Sequence, residues 1–522
     1  MSSTAGNTMA NYVRTFTFKE SRALDVKCAR WVYRRSLPLS VTSSPELISF
    51  CRALNPAYTP PSRFSLADHL SKGEFMAQSR VVNLFVNRAM RDGDLVVIGD
   101  GWSDRLRNSI YNYVVFTPEA LYMETKVWGE SRLSAENTAE FFATRIEALE
   151  ARNVVAFASD TENRMKAVWD LLEARFPWIL TIPCSDHCFD LLVADIAKHP
   201  DVAGILSFCN SMTQYFKNHS FPKAVMERCQ MSEYKQIIQL QRPGDTRWKS
   251  QQTAAAVFLK AQGAMEKAVV DATFKRECVQ SRSSEQPKAA LDAALAVKDE
   301  RNWEQLKMVV ELLEPLAMSL DNVQSDGRGL AMVHSAFLRL HAHFASFSYP
   351  SAAGRSLLRQ HVLKCVVHRQ HYTLRPMHTL AYLLDPRYID MPDQPDSAEL
   401  ARGLGLLRSM ASAHNIKLAL AAHKCSHEDE LPGDYEKPTE DNVMGEYTSY
   451  KAQMGGNFIL PEVWTKDTTK DSLAWRKLWG TSLPHLQAVA IKVMKMPVGF
   501  AAGKRSFSNA ANIQTKLRTR LS

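Results

Sequence analysis

Apolar and polar positions follow two different periods along this chain, and the change of period divides it into regions. Between Asp94 and Ile182, short apolar runs alternate with turn residues and with stretches of helical spacing. Short apolar runs bounded by turn signals are typical of buried strands, whereas apolar residues three and four positions apart indicate one face of a helix. The sequence therefore predicts a region that contains a sheet, with helical regions before and after it.

The sheet region has a definite order of elements. The predicted strands are 94–98, 111–116, 120–124, 154–158 and 178–182, and the predicted helices between them are 135–150 and 165–176. The gaps between the first three strands are too short for a crossover helix, so we expect antiparallel pairing there. The last two strands each follow a helix, so we expect parallel crossovers and a mixed sheet. The first strand is expected to stop at Gly99-Asp100-Gly101, which leaves Asp100 at a strand end.

The rest of the chain is predicted to be mainly helical, with a long helix over 303–324 in which Pro315 is a candidate site for a kink. The expected fold class is mixed α/β with a large all-helical insertion. The expected organisation, in chain order, is a helical N-terminal region (1–90), the first part of the core (91–245), the insertion (246–428), a polar linker (429–467) and a C-terminal segment that completes the core (468–522).

Composition narrows the class of protein. A hydrophobic fraction of 45% and a charged fraction of 23% are ordinary for a folded globular chain and argue against wholesale disorder. The nine cysteines are scattered and odd in number, which argues against a disulfide framework and for a reducing compartment, nucleus or cytosol. No apolar run is long enough to span a bilayer, so no membrane partner is expected.

The net charge of +9 has the sign that favours phosphate backbones. No carboxylate follows Asp471, so Lys504, Arg505 and the later basic residues form a basic tail. A solvated helix face explains such a tail equally well. Arg247 and Trp248 place a guanidinium and an indole at the start of the helical block, a pair that can hold a phosphate and stack a base. Trp248 is also suited to anchor the packing between two regions.

Two aspartates are candidates for chemistry. Asp100 and Asp160 each follow a predicted strand of one sheet. Mg²⁺ prefers oxygen ligands and can activate water, so two converging carboxylates would suit phosphoryl transfer. An aspartate after a strand is also a common turn residue, and the pattern alone favours that structural role. Cys184 and His187 have a C-x-x-H spacing that supplies half a zinc site, and a structural role is the default for them.

Six segments, in this order, resemble the hAT superfamily of transposases and the domesticated proteins derived from it. They are Asp100–Asp104, Ser159–Met165, Pro183–Leu192, Thr246–Ser250, Leu383–Tyr388 and Trp479–Ile491. No single segment decides the matter, but six matches in the right order are hard to obtain by chance. The resemblance implies an RNase H-like core interrupted by the helical insertion, with a hAT-type dimerisation segment at the C-terminus.

The resemblance also implies DNA cut-and-paste chemistry, in which Asp100, Asp160 and a glutamate after the insertion hold two Mg²⁺ ions. At the position expected for that glutamate this chain has Lys504. A lysine cannot ligate the metal and adds a positive charge where a negative one is required. We therefore expect a severe loss of strand cleavage. The BED-type zinc finger of the family has no counterpart, because Cys28 and Cys51 lack paired ligands.

The expected function is that of a transposase-derived, DNA-associated or dimerising protein of the nucleus, with the cytoplasm as the alternative location. The expected DNA contacts are Arg247, Trp248, Lys504 and Arg505, and the expected protein partner is a second copy or another hAT-type chain. No small-molecule substrate is expected, and Mg²⁺ only if the chain is active. Two alternatives stay open, an active Mg²⁺-dependent transposase and a protein-interaction scaffold without a role in DNA binding. Whether the chain is an enzyme is therefore open, and Lys504 at the third acidic position favours a chain that is not an enzyme.

Overall fold

The structure is a computed structural model that describes residues 15–103, 107–117, 119–129, 133–242, 249–280, 286–324, 329–349, 352–423 and 440–499. Contacts divide these residues into two compact units. The first contains the described residues up to Phe157 together with Ala174–Ile179, and the second contains Ala158–Glu173 and the described residues from Leu180 onward. Within the described residues, no helix is both long and apolar enough to cross a membrane.

The first unit begins with helices, as the sequence predicted. They are α1 (Phe18–Arg34), α2 (Pro45–Leu54), α3 (Arg63–Ser65) and α4 (Ser71–Asp92). A capping box starts α1, in which the Thr17 side chain and Glu20 satisfy each other's backbone amides. Gly93, with φ of 63°, ends α4 in the left-handed conformation that glycine adopts without strain. Ala29, Val32 and the leucines at 66 and 70 form the apolar core between these helices.

The strands confirm the predicted mixed α/β class. They are β1 (Leu95–Ser103), β2 (Ser109–Phe116), β3 (Ala120–Trp128), β4 (Val154–Ser159) and β5 (Leu180–Pro183), and the helices between them are α5 (Ala135–Ala148) and α6 (Asn163–Arg175). One sheet contains them in the order β3-β2-β1-β4-β5, with β1 antiparallel to β2 and β2 antiparallel to β3. A five-stranded mixed sheet accompanied by many helices is consistent with an RNase H-like core that carries helical insertions.

The first strand is longer than the sequence indicated. Gly99, Asp100 and Gly101 were assigned to a turn, yet they lie inside β1 and pair with β2. The glycines mark close packing: a Cβ at Gly99 would lie 2.5 Å from Phe142 Cζ, and one at Gly101 would lie 2.8 Å from the ring of Tyr111. Glycine within a strand often marks a place where another group approaches the backbone closely. Because Asp100 lies inside β1, the expectation that it sits at a strand end was wrong.

Helices dominate the second unit, including the predicted insertion. They are α7 (Ser185–Ala197), α8 (Pro200–Asn218), α9 (Ser220–Tyr234), α10 (Lys249–Lys260), α11 (Gln262–Val270), α12 (Ala272–Phe274), α13 (Gln286–Lys298), α14 (Glu300–Gln324), α15 (Ala331–Ser346), α16 (Ala352–Thr373), α17 (Pro376–Leu384) and α18 (Ser397–His423). Pro315 lies within α14, which continues past it. A continuous apolar core joins α7 to these helices, and the stacked rings of Phe189 and Phe337 lie within it.

The C-terminal part also contains helices where a linker was expected. They are α19 (Glu440–Lys451), α20 (Lys466–Thr469), α21 (Ser472–Trp479) and α22 (Pro484–Met494). Residues 440–467 therefore fold, and α19 buries Val443, Tyr447 and Tyr450. These three apolar residues recur at helical spacing, but the polar residues between them hid that signal in the overall composition.

Candidate functional site

Asp100 lies on a buried part of β1, and its side chain is only 6% exposed. Side chains alternate between the faces of a strand, so the position of Gly99 fixes the side on which Asp100 lies. Phe142 of α5 packs directly against the Cα of Gly99. The carboxylate of Asp100 therefore points to the face of the sheet opposite α5.

A row of polar side chains crosses three strands at Asp100. Asp100 pairs with Asn112 of β2, and Asn112 pairs with Thr125 of β3. Residues directly opposite each other in antiparallel strands share a face, so all three lie on one side. The Thr125 hydroxyl donates to Asn112 Oδ1 at 2.6 Å and lies 2.7 Å from the hydroxyl of Tyr122. Sequence reasoning missed this row; the polar Asn112 inside an apolar run was the available signal.

Asp160 immediately follows β4 and has the turn role that the pattern favoured. Its Oδ1 accepts a hydrogen bond from the Glu162 amide at 3.3 Å, which stabilises the turn into α6. The preceding Ser159 is fixed on two sides: its hydroxyl accepts from Trp169 Nε1 at 2.8 Å, and its carbonyl accepts from the Cys184 amide at 2.8 Å. These bonds hold the end of β4 beside the start of α7.

Cys184 is buried at the N-cap of α7, and His187 lies in the first turn of that helix, partly buried. Burial raises the pKa of the neighbouring Cys188 thiol, although hydrogen bonds with Thr373 and Thr161 oppose the rise. Within the described residues, no group of three or more His, Cys, Asp or Glu side chains is arranged to hold a metal ion. No disulfide joins the described cysteines, Cys184 and Cys188 among them.

The end of the described chain also lies at the start of α7. A Cβ on Gly499 would lie 2.4 Å from Asp186 Oδ1, so only glycine fits the backbone here without displacing the carboxylate. Asp186 is buried in the first turn of α7, where a negative charge interacts favourably with the helix dipole. The chain therefore returns from α22 to the helix that follows β5.

One of the later segments singled out by the sequence, Leu383–Tyr388, contacts residues of α19 and α21. The buried guanidinium of Arg476 in α21 donates from Nε and Nη2 to the Leu384 carbonyl, at 3.3 and 2.7 Å, and lies 3.8 Å from the centre of the Tyr450 ring. The Tyr450 hydroxyl donates to the same carbonyl at 3.2 Å. Ser472 donates to Asp385 Oδ1 at 2.7 Å. The Leu383–Tyr388 segment is thus fixed to the C-terminal helices.

Four candidate residues, Arg247, Trp248, Lys504 and Arg505, lie outside the described part of the chain. Asp100 and Asp160 belong to the first and the second unit, respectively. Each is described above in its own surroundings, and their convergence on one ion stays a prediction. Cys184 lies beside the strand end that precedes Asp160, as the backbone bond to Ser159 shows.

Residues 82–212 match a protein-family model described as a domain of unknown function, DUF659. The matched span contains both Asp100 and Asp160, together with Cys184 and His187. Domains of this family occur in hAT-type and transposase-like families. The match supports a transposase-like relation for this region. The matched region includes all five strands of the sheet and extends into α8, whereas the rest of the chain lies outside the match. No curated protein matches the chain.

Proposed function

We propose that this chain is a transposase-derived protein that associates with DNA and dimerises but no longer cleaves DNA strands. The observation that carries the proposal is the DUF659 match, which spans the mixed sheet and both aspartates. The net positive charge supports a DNA partner, and Lys504 at the position expected for an acidic ligand supports the loss of cleavage. A nuclear location follows from a DNA partner.

The sequence supplies only two of the three acidic ligands that the family relation requires. Asp100 and Asp160 offer the oxygen ligands that Mg²⁺ prefers. Lys504 would add a positive charge at the position expected for the third ligand. We therefore derive no metal-dependent step for this chain.

Apolar side chains on the C-terminal part support the proposed dimer. Met454, Ile459 and Leu478 are each more than 60% exposed, although they belong to a region that buries Trp475 and Tyr450. A contiguous exposed apolar patch is characteristic of protein interaction sites, and we propose that these side chains contribute to one. Light scattering over a range of concentrations should show a dimer, and Leu478→Asp should shift the chain toward the monomer. A monomer at every concentration would contradict this part of the proposal.

DNA association is tested by titrating a fluorescent duplex with the full chain at several salt concentrations. We expect the logarithm of the binding constant to fall linearly with the logarithm of the salt concentration, because phosphate contacts release counterions. Absent binding at low salt, or binding that does not respond to salt, would leave the protein-interaction scaffold as the better description.

Cleavage is tested with a supercoiled plasmid in Mg²⁺ or Mn²⁺, using the full chain and the Lys504→Glu variant. We expect no nicking by the unmodified chain. Activity gained by Lys504→Glu and lost again in Lys504→Glu/Asp160→Asn would support the assignment of all three positions. Lys504→Gln is the matched control, since it removes the positive charge without supplying a metal ligand. Nicking by the unmodified chain would show that it is an active enzyme.

A further inference from the structure

A surface of the second unit combines cationic and aromatic side chains from α6 and from the α16–α17 junction. Its members are Lys166, His368, His371, Tyr372 and Arg375, and we name it the α6/α16 basic surface. Lys166 Nζ lies 4.0 Å from the centre of the Tyr372 ring, and both histidine rings pack against that same ring. Tyr372 is 39% exposed, so the cluster is open to solvent.

The aromatic rings hold the cations in defined positions. Tyr372 supports Lys166, and the buried Trp169 ring supports the Arg375 guanidinium 5.3 Å from its centre. A cation over the face of a ring is attracted by the ring's quadrupole, which restricts the side chain without neutralising its charge. The two cations therefore keep both their charge and a fixed place on the surface.

Carboxylates do not neutralise these two cations, in contrast to the basic residues around them. Arg369 pairs with Asp195 at 2.6 Å, and Arg164 pairs with Glu162 at 2.9 Å. Asp170 lies one turn beyond Lys166 along α6, but the Lys166 side chain is directed at the Tyr372 ring instead. Among the described residues, neither Lys166 nor Arg375 forms an ion pair. Positive charge held in place without an acidic partner is suited to bind an external anion.

The α6/α16 basic surface lies next to the end of β4. Trp169, whose ring lies under the Arg375 guanidinium, donates from Nε1 to the Ser159 hydroxyl at 2.8 Å, so this part of the surface adjoins the residue before Asp160. Lys166 is in the second turn of the helix that begins three residues after Asp160. A polyanion bound by Lys166 and Arg375 would pass close to Asp160.

We propose that the α6/α16 basic surface binds the phosphate backbone of duplex DNA and leads it past Asp160. Lys166 and Arg375 are the phosphate contacts, and Tyr372 and Trp169 are positioning residues that act through them. The proposal rests on the proposed association with DNA but assigns it to residues other than the basic tail and the Arg247-Trp248 pair. Because this surface would contact only phosphates, we expect it to bind duplex DNA of any base sequence.

The test compares the salt dependence of duplex binding in full-length variants. Each lost phosphate contact reduces the slope of log K against log salt by about 0.9, so Lys166→Gln/Arg375→Gln should reduce it by roughly 1.8. Lys166→Arg keeps both the charge and the ring contact and should bind like the unmodified chain. Lys307→Gln is the matched control, because Lys307 is an exposed lysine of α14 outside the surface.

A second measurement uses only the unmodified chain, so its result does not depend on whether a variant folds. Amine-reactive footprinting of the unmodified chain should show that duplex DNA protects Lys166 and leaves Lys307 reactive. If the chain binds DNA but the double variant keeps the slope of Lys307→Gln and Lys166 stays reactive, the surface is wrongly assigned while the proposed function stands. If the unmodified chain does not bind DNA at low salt, both proposals fail.

Discussion

The packing of Gly99 against Phe142 gives a sharp test of how β1 is oriented, and therefore of the face on which Asp100 lies. The perturbation is Gly99→Ala. The added Cβ would lie 2.5 Å from Phe142 Cζ and 3.0 Å from Cε2, whereas carbon atoms in favourable contact are about 3.5–4 Å apart. The ring would have to retreat by about 1 Å.

Phe142 has little room to retreat. The side chain is fully buried, and its ring centre lies 5.0 Å from that of Phe141, 4.9 Å from that of Phe157 and 6.4 Å from that of Tyr111. Overpacking a core of this kind costs about 1–3 kcal/mol. We therefore expect Gly99→Ala to lower the free energy of unfolding by about 2 kcal/mol.

The assay is hydrogen exchange of the β1 amides, because a chain of two units need not unfold in one step. Gly73→Ala is the matched control: a Cβ there meets nothing within 4 Å, and alanine within a helix should stabilise by about 0.5–1 kcal/mol. Phe142→Leu should recover part of the loss in the double variant, since the two positions are in contact. Strictly additive effects, or an unchanged exchange rate in Gly99→Ala, would refute the orientation of β1.

Two further predictions concern the second unit. Arg476→Ala should lower the free energy of unfolding by about 3–5 kcal/mol, because it leaves a cavity beside Tyr450 and the Leu384 carbonyl. Arg476→Met should lower it by less than about 1.5 kcal/mol, because methionine fills the space without a buried charge. Equal losses for the two variants in calorimetry would contradict this reasoning. Burial lowers the pKa of His334 to about 4, and burial together with repulsion from the His334 ring lowers the pKa of His378 to about 3. In the unfolded chain both imidazoles are protonated below pH about 6.5, so acidification from pH 7 to 5 should lower the free energy of unfolding by about 2 kcal/mol per imidazole. His378→Gln should therefore weaken the dependence of the melting temperature on pH. A melting temperature that depends on pH as strongly in the variant as in the unmodified chain would contradict this prediction.

The strands and helices around the candidate site were largely predictable, because burial leaves a local period in the sequence. The run Val154 to Ala158 predicted β4 to within one residue, and Asp160 was placed correctly after it. The end of β1 was not predictable. Gly99 and Gly101 are common turn residues, and only the rings of Phe142 and Tyr111, which approach from other elements, show that these glycines belong to a strand.

The sequence by itself determined the order of the elements, the mixed character of the sheet and the two aspartates that accompany it, because strand and helix periods are set by residues close together in the chain. The tertiary structure decided which polar groups meet. Arg476 and the Leu384 carbonyl are 92 positions apart, and Lys166 meets Tyr372 across more than 200 positions. A hydrogen-bond donor or a cation leaves no period in the sequence that points to its partner. These contacts exist only because the chain folds back on itself and buries the apolar faces on either side of them.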